Sequence, residues 1–133
     1  MDSKQVVQEF RRAADTLDFA AAGEMLSHSV RWWVPRSAAQ LGFQRPIEGR
    51  EEVLGLMSRA TSRFYKPGTM QRTYHRYVAE GDFVAVWFTM TAETADGDEY
   101  ANDYHLLYRC EDGRIAEVWE HLDTAYSMSR FKS

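Results

Sequence analysis

After Pro67-Gly68 the hydrophobic period drops from 3.6 to 2 and stays there to residue 123. Three acid–glycine pairs interrupt it: Glu80-Gly81, Asp96-Gly97 and Asp112-Gly113. No other feature limits the possible folds as much. Such pairs supply residues that tolerate φ > 0, which tight hairpin loops require. The pattern predicts strands over 70–78, 83–94, 100–110 and 115–123, joined as an antiparallel meander.

The chain before the meander is helical in period. Val6, Val7, Phe10, Ala13, Ala14 and Leu17 predict an amphipathic helix over 3–16 with Ser3 as N-cap. A short helix over 18–27 follows, capped by Asp18. "VRWWVP" then reads as a strand stopped by Pro35, and 36–48 as a loop. "GREEVLGLMSRATSRFY" is a third helix, with Glu51 and Glu52 in the first turn where they complement the dipole. Helices first and a meander second make a single α+β domain over 1–133.

The 133 residues are 44% hydrophobic and 14% aromatic, enough for a real core and more aromatic than a core alone needs. A net charge of −4, with arginines scattered among acids, argues against nucleic acid as a partner. One cysteine, Cys110, excludes an intrachain disulfide and a cysteine-based metal cluster. The four histidines show neither HxH nor HExxH spacing, so no metal is expected. No phosphate loop or dinucleotide fingerprint is present, so no cofactor is expected either. "MDSKQVV" has no apolar signal core and no 18-residue apolar run exists, which points to a cytoplasmic protein without a membrane partner.

Two-residue turns fix hairpin registers. With tight turns at each acid–glycine pair, Leu107 faces Val118, His105 faces Glu120 and Asp103 faces Leu122. Val86 and Phe88 then face Leu107 and His105, and Tyr77, His75 and Thr73 lie beside Val84, Val86 and Phe88. One sheet face is aliphatic and belongs against the helices. The other carries Trp87, Tyr104, Tyr108, Trp119 and His121, a patch too aromatic for water, which a second copy of the sheet would cover in a homodimer. On this reading His105 and Glu120 are the catalytic pair, because directly opposed residues are close enough to hydrogen-bond and a carboxylate raises imidazole basicity. Asp103 is a further acid/base candidate at the pocket mouth. Phe10, Trp32, Val34, His75, Tyr77, Phe88, Leu107 and Leu122 are the candidate ligand-binding residues. A bulge would exchange faces and bring forward a rival group, Asn102, His121 and Asp123.

The last hairpin, "NDYHLLYRCEDGRIAEVWEHLDTA", and the run "VVQEFRRAADTLDFAAAGEMLSHSVRWWVP" resemble the nuclear transport factor 2-like superfamily, in its SnoaL-like and ketosteroid isomerase-like branch. The resemblance implies a cone-shaped, curved antiparallel sheet, a cystatin-like roll, packed against three N-terminal helices around an apolar pocket. Steroid isomerases of that superfamily use a Tyr, an Asp and a protonated acid. The matching positions here are Phe10, Val34 and His105, so that particular mechanism is not expected. The expected function is cofactor-free acid/base chemistry, by an isomerase, cyclase or dehydratase, on a small carbonyl-containing or polycyclic substrate, with loop 36–48 as a lid. The alternative is a non-catalytic module that binds an apolar ligand or assembles through its sheet.

Overall fold

The computed structural model describes residues 1–131. Helix α1 (Ser3–Asp15) and helix α2 (Phe19–Glu24) precede strand β1 (Leu26–Trp33). A 3₁₀ turn at Arg36–Leu41 leads to a two-residue strand β2 (Ile47–Glu48) and helix α3 (Arg50–Phe64). The meander is β3 (Gln71–Glu80), β4 (Phe83–Glu93), β5 (Glu99–Glu111) and β6 (Arg114–Leu122). A last helix α4 (Thr124–Arg130), which the sequence reading lacks, follows directly. The six strands form one sheet in the order β2-β1-β6-β5-β4-β3, with β1 parallel to β6 and the other pairs antiparallel. The α+β architecture expected from the sequence is present.

Helix α1 is held as its periodicity requires. Val6, Val7, Phe10 and Ala13 are buried at the apolar stripe. Its N-cap is Asp2, one residue before the expected Ser3. The Asp2 carboxylate accepts from Gln5 N–H at 2.8 Å, and the Gln5 side chain accepts from Asp2 N–H at 2.9 Å. This capping box satisfies two donors that the helix end would otherwise leave free. Asp18 caps α2, as expected, by accepting from Ala21 N–H.

The hairpin registers explain where the site lies, and all three depart from the expected ones. The Asp112-Gly113 turn is tight: both residues have positive φ (52° and 75°), and Glu111 pairs with Arg114. The Asp96-Gly97 turn is not tight. Thr94 is buried, its backbone N–H donates to Asp98 O, and its hydroxyl accepts from Asp98 N–H. The loop therefore spans 94–98, and β4 pairs with β5 one residue out of the expected register, with Phe88 opposite Tyr104. Every side chain of β5 changes face as a result. A bulge then shifts the β5–β6 register between Arg109 and Cys110, with Ala116 as the extra residue on β6. This second one-residue step restores β6 to its expected orientation. The first hairpin turns at Gly81-Asp82 instead of Glu80-Gly81, so Glu80 is opposite Phe83 and Tyr77 opposite Val86. A shift between Tyr74 and Arg76 then turns His75 and Thr73 outward and Tyr74 inward, while Tyr77 stays inward.

The inner sheet face accordingly carries Val84, Val86, Phe88 and Met90 on β4, Tyr104, Leu106 and Tyr108 on β5, and Val118, Glu120 and Leu122 on β6. Phe10 of α1 is fully buried, with its ring 6.0 Å from Trp32 and 6.2 Å from Tyr108. This three-ring cluster joins α1, β1 and β5 into one core.

Candidate functional site

The helices do not fill the curve of the sheet completely. A cavity of about 240 Å³ remains between its inner face, α3, the 36–43 segment and α4. Its walls are mostly apolar. Trp32 and Val34 come from β1 and the residue after it, Phe88 and Met90 from β4, and Leu106 and Leu122 from β5 and β6. Helix α3 adds Val53, Leu56, Met57 and Phe64. Phe43 closes one side, with its ring 5.9 Å from Phe64.

Among the described residues that line the cavity, Glu120 is the one carboxylate. Its Oε1 accepts the Trp32 indole N–H at 2.8 Å. Burial pushes its pKa above the usual carboxylate range, because the apolar walls disfavour the charged form. The Trp32 hydrogen bond and the charges of Arg11, Arg72 and His121 oppose that shift without cancelling it. Tyr65 and Tyr104 line the same space, and burial holds both phenols protonated well above their ordinary range. Tyr104 shares a 2.7 Å hydrogen bond with Tyr100. Two arginines also reach the cavity, Arg11 from α1 and Arg72 from β3. The site thus offers one carboxyl with a raised pKa, neutral hydroxyl donors and fixed positive charge, inside an apolar enclosure.

Of the expected catalytic residues, only Glu120 lies here. His105 and Asp103 are exposed on the outer face, because the 94–98 loop reverses β5. His105 pairs across the sheet with His121, not with Glu120, and its ring stacks on Trp87 at 5.9 Å. Asp103 accepts from the Thr89 hydroxyl at 2.6 Å, and Thr89 also contacts His75 Nε2 at 2.8 Å. Of the expected ligand-binding residues, Trp32, Val34, Phe88 and Leu122 line the cavity. Phe10 is core behind Trp32, and Tyr77 packs on Tyr74 away from the cavity lining. His75 and Leu107 are on the outer face, His75 with its ring tilted against Trp87 at 4.5 Å and Leu107 exposed. Tyr104 and Tyr108, expected in the partner-facing patch, are buried inside.

The rival group is separated too. Asn102 is buried and donates to Tyr100, Ser127 and the Asp123 carbonyl, which ties α4 to β5. The Asp123 carboxylate caps α4 by accepting from Tyr126 N–H. His121 is exposed on the outer face. The sequence reading missed Arg11, Arg72, Tyr65 and Tyr104 as cavity residues. For Arg11 a signal existed: it follows Val7 by four residues and precedes Ala14 by three, so it lies on the apolar stripe of α1.

Known structures repeat this architecture. An NTF2-like protein of unknown function from Burkholderia pseudomallei K96243 superposes with a TM-score of 0.88 over 100% of both chains, at 22% identity. TerC, solved with polyporic acid, gives 0.86 over 98% of both chains, at 16% identity. A loop truncation variant of IdmH gives 0.80 over 98% of this chain and 100% of its own, at 20% identity. At these identities the likeness establishes the fold. No curated protein matches the sequence. The profile of the SnoaL-like domain matches residues 7–118, from the start of the α1 stripe to the inward-facing Val118 of β6, and by that match the chain belongs to the SnoaL-like family.

Proposed function

We propose that the chain is an acid/base catalyst that needs no cofactor and moves a proton on a small apolar substrate carrying a carbonyl group. The observation that carries this is the lone cavity carboxyl of Glu120, raised in pKa by its apolar surroundings and oriented by the Trp32 indole. A carboxyl whose pKa is raised above its ordinary value is better matched to proton transfer near neutral pH than an exposed one. Glu120 removes a proton from carbon beside the carbonyl and returns it elsewhere, the outcome of an isomerase, or passes it on during a cyclisation or dehydration. The protonated hydroxyls of Tyr65 and Tyr104 are available to the oxygen on which charge collects. The 36–43 segment lines one side of the cavity through Ser37, Ala38, Leu41 and Phe43, where a lid would act.

The cavity is somewhat smaller than the roughly 300–1,000 Å³ of sites for drug-sized ligands, and larger than the ~150 Å³ void that accepts benzene. It therefore suits a molecule of about two or three rings. A thermal-shift screen against steroids, aromatic polyketides, terpenoids and fatty acids tests this. A specific ligand at a hundredfold excess over its Kd stabilises by about 2.7 kcal/mol. We expect a hit among the smaller ring compounds. Silence across all four classes would remove the ligand cavity from the account. Stabilisation without turnover of any hit would favour the alternative, a pure binder.

We also propose a homodimer through the outer sheet face, in a reducing, cytoplasmic setting that suits the free, buried Cys110. Phe83, Trp87 and Leu107 are 41%, 43% and 37% exposed, unusual for large apolar side chains on paired strands. With Trp119 and His121 they replace the patch that the sequence suggested with Tyr104 and Tyr108. Sedimentation at micromolar concentration should give a dimer, and Leu107→Glu a folded monomer. A wild-type monomer would refute the interface.

A further inference from the structure

The two arginines at the β3 side of the cavity are incompletely partnered by the protein. Arg11 is buried, with 4% of its surface exposed, and Arg72 reaches the same end from β3. Both guanidinium groups lie over the Phe88 ring, at 5.2 and 5.9 Å from its centroid. Asp15 is their shared counter-ion: one of its oxygens is 2.9 Å from Arg72 Nη1 and 3.6 Å from Arg11 Nη2. Its other oxygen accepts the Tyr74 hydroxyl at 2.6 Å. One carboxylate therefore serves two cations, and both of its oxygens are engaged.

The donors are in surplus as well. Each guanidinium has five N–H groups. Arg11 spends Nε on Tyr74 at 3.0 Å and Nη1 on Tyr108 at 3.4 Å. Asp15 is the hydrogen-bond partner of Arg72 among the described residues, and Arg72 Nε is buried without one. A purely structural arginine would be paired more fully, because a buried, under-bonded cation is costly. Glu120 does not supply the missing contact. Among the described residues it makes no ion pair with either arginine, and its Oε1 is engaged by the Trp32 indole.

We infer that Arg11 and Arg72 form an anion-recognition end of the cavity, and that its ligand is an apolar ring compound bearing one carboxylate-type oxyanion. The geometry assigns the roles. The guanidinium pair holds the planar anion in the manner such forks favour, and Phe88 and Trp32 hold the rings. The anion fixes which carbon of the substrate meets Glu120. A neutral hydrocarbon would leave the buried Arg72 Nε–H without a partner.

This rests on the reading of the cavity as a substrate site, yet it fails separately from that reading, since it is tested by binding alone with no turnover. The probes are 2-naphthoate and its neutral isostere 2-naphthamide, titrated calorimetrically into the full chain at pH 8 and low salt. The wild type should bind naphthoate at least tenfold more tightly than the amide. Arg72→Gln should abolish that preference by weakening naphthoate alone, and Arg72→Lys should retain part of it. Arg72 is preferred for substitution because Arg11 is embedded in the core. Equal affinities in the wild type, a preference that survives Arg72→Gln, or no naphthoate binding at millimolar concentration would each overturn the inference.

Discussion

Replacing Glu120 with glutamine lowers turnover by about 10²–10⁴-fold, the usual contribution of a positioned acid/base group. The variant keeps the volume of the side chain and an oxygen for the Trp32 indole, which donates at 2.8 Å in the parent. What it loses is the proton that Glu120 can give or take. His105→Ala, in contrast, leaves the rate unchanged, because His105 is exposed beside Trp87 on the opposite face. The reverse pattern, an inert Glu120 and an essential His105, would move the chemistry to the outer face. The same substitution has a signature in stability. The folded-state pKa of Glu120 is raised above its ordinary 4.5, so the folded protein binds the proton more tightly than the unfolded chain does. Glu120 therefore favours folding most at acid pH, and that contribution is lost as pH rises through the raised pKa. Glu120→Gln should raise Tm relative to the parent at pH 8 and bring little gain at pH 4. A gain confined to acid pH would contradict the sign of the shift.

Phe10→Ala costs roughly 3–5 kcal/mol of stability, the range for emptying a fully enclosed aromatic site. Phe10 is 0% exposed, and its ring closes a triangle with Trp32 and Tyr108, which are themselves 6.2 Å apart. Those contacts join the first helix to the strands on which the cavity is built. The expected loss lowers Tm by about ten degrees or more in a domain of this size. Denaturant unfolding measures it directly, with an unchanged m value showing that the native state stays compact. A loss below about 1 kcal/mol would show that α1 is not clamped through this ring. Phe10→Leu, which refills most of the space, should cost much less.

Much of the fold was legible because local chemistry and long-range packing agree. The stripe of Val6, Val7 and Phe10 specifies α1, and Asp112-Gly113 specifies a two-residue turn that is present as read. The change of period after Pro67-Gly68 marks where helices give way to the meander. The site was less legible, because faces depend on registers and registers depend on single residues. Asp96-Gly97 reads like Asp112-Gly113, but Thr94 is drawn into the core, where it bridges to Tyr65 and bonds Asp98, and the loop widens. That one step carried His105, Asp103 and Leu107 outward and Tyr104 and Tyr108 inward. Glu120 stayed inside because the bulge at Ala116 undid the step on the next strand. A period-2 pattern of mixed aromatic and polar residues does not reveal such a reversal, since both faces of β5 offer plausible side chains for either environment.

The partner of Glu120 was hidden for a different reason. Trp32 lies 88 positions away, on β1, which runs parallel to β6 and pairs with it as Trp32 beside Val118. A parallel crossover is not specified by any hairpin turn. Arg72 was legible only as one of a scattered basic population, and Arg11 only by its place on the apolar stripe of α1. Their shared contact with Asp15 and Phe88 depends on α1 lying across β3 and β4, which composition does not encode.

The measurement that tests the central claim most directly is a ¹³C NMR titration of the Glu120 side-chain carboxyl in protein labelled at glutamate, with Glu120→Gln to assign the signal. The account predicts a midpoint clearly above the ordinary 4.5, because the apolar walls of the cavity resist its charge. A midpoint at or below 4.5 would mean that Arg11, Arg72 and the Trp32 indole hold Glu120 as a settled anion. The cavity would then contain a structural ion pair in place of a group ready to move a proton.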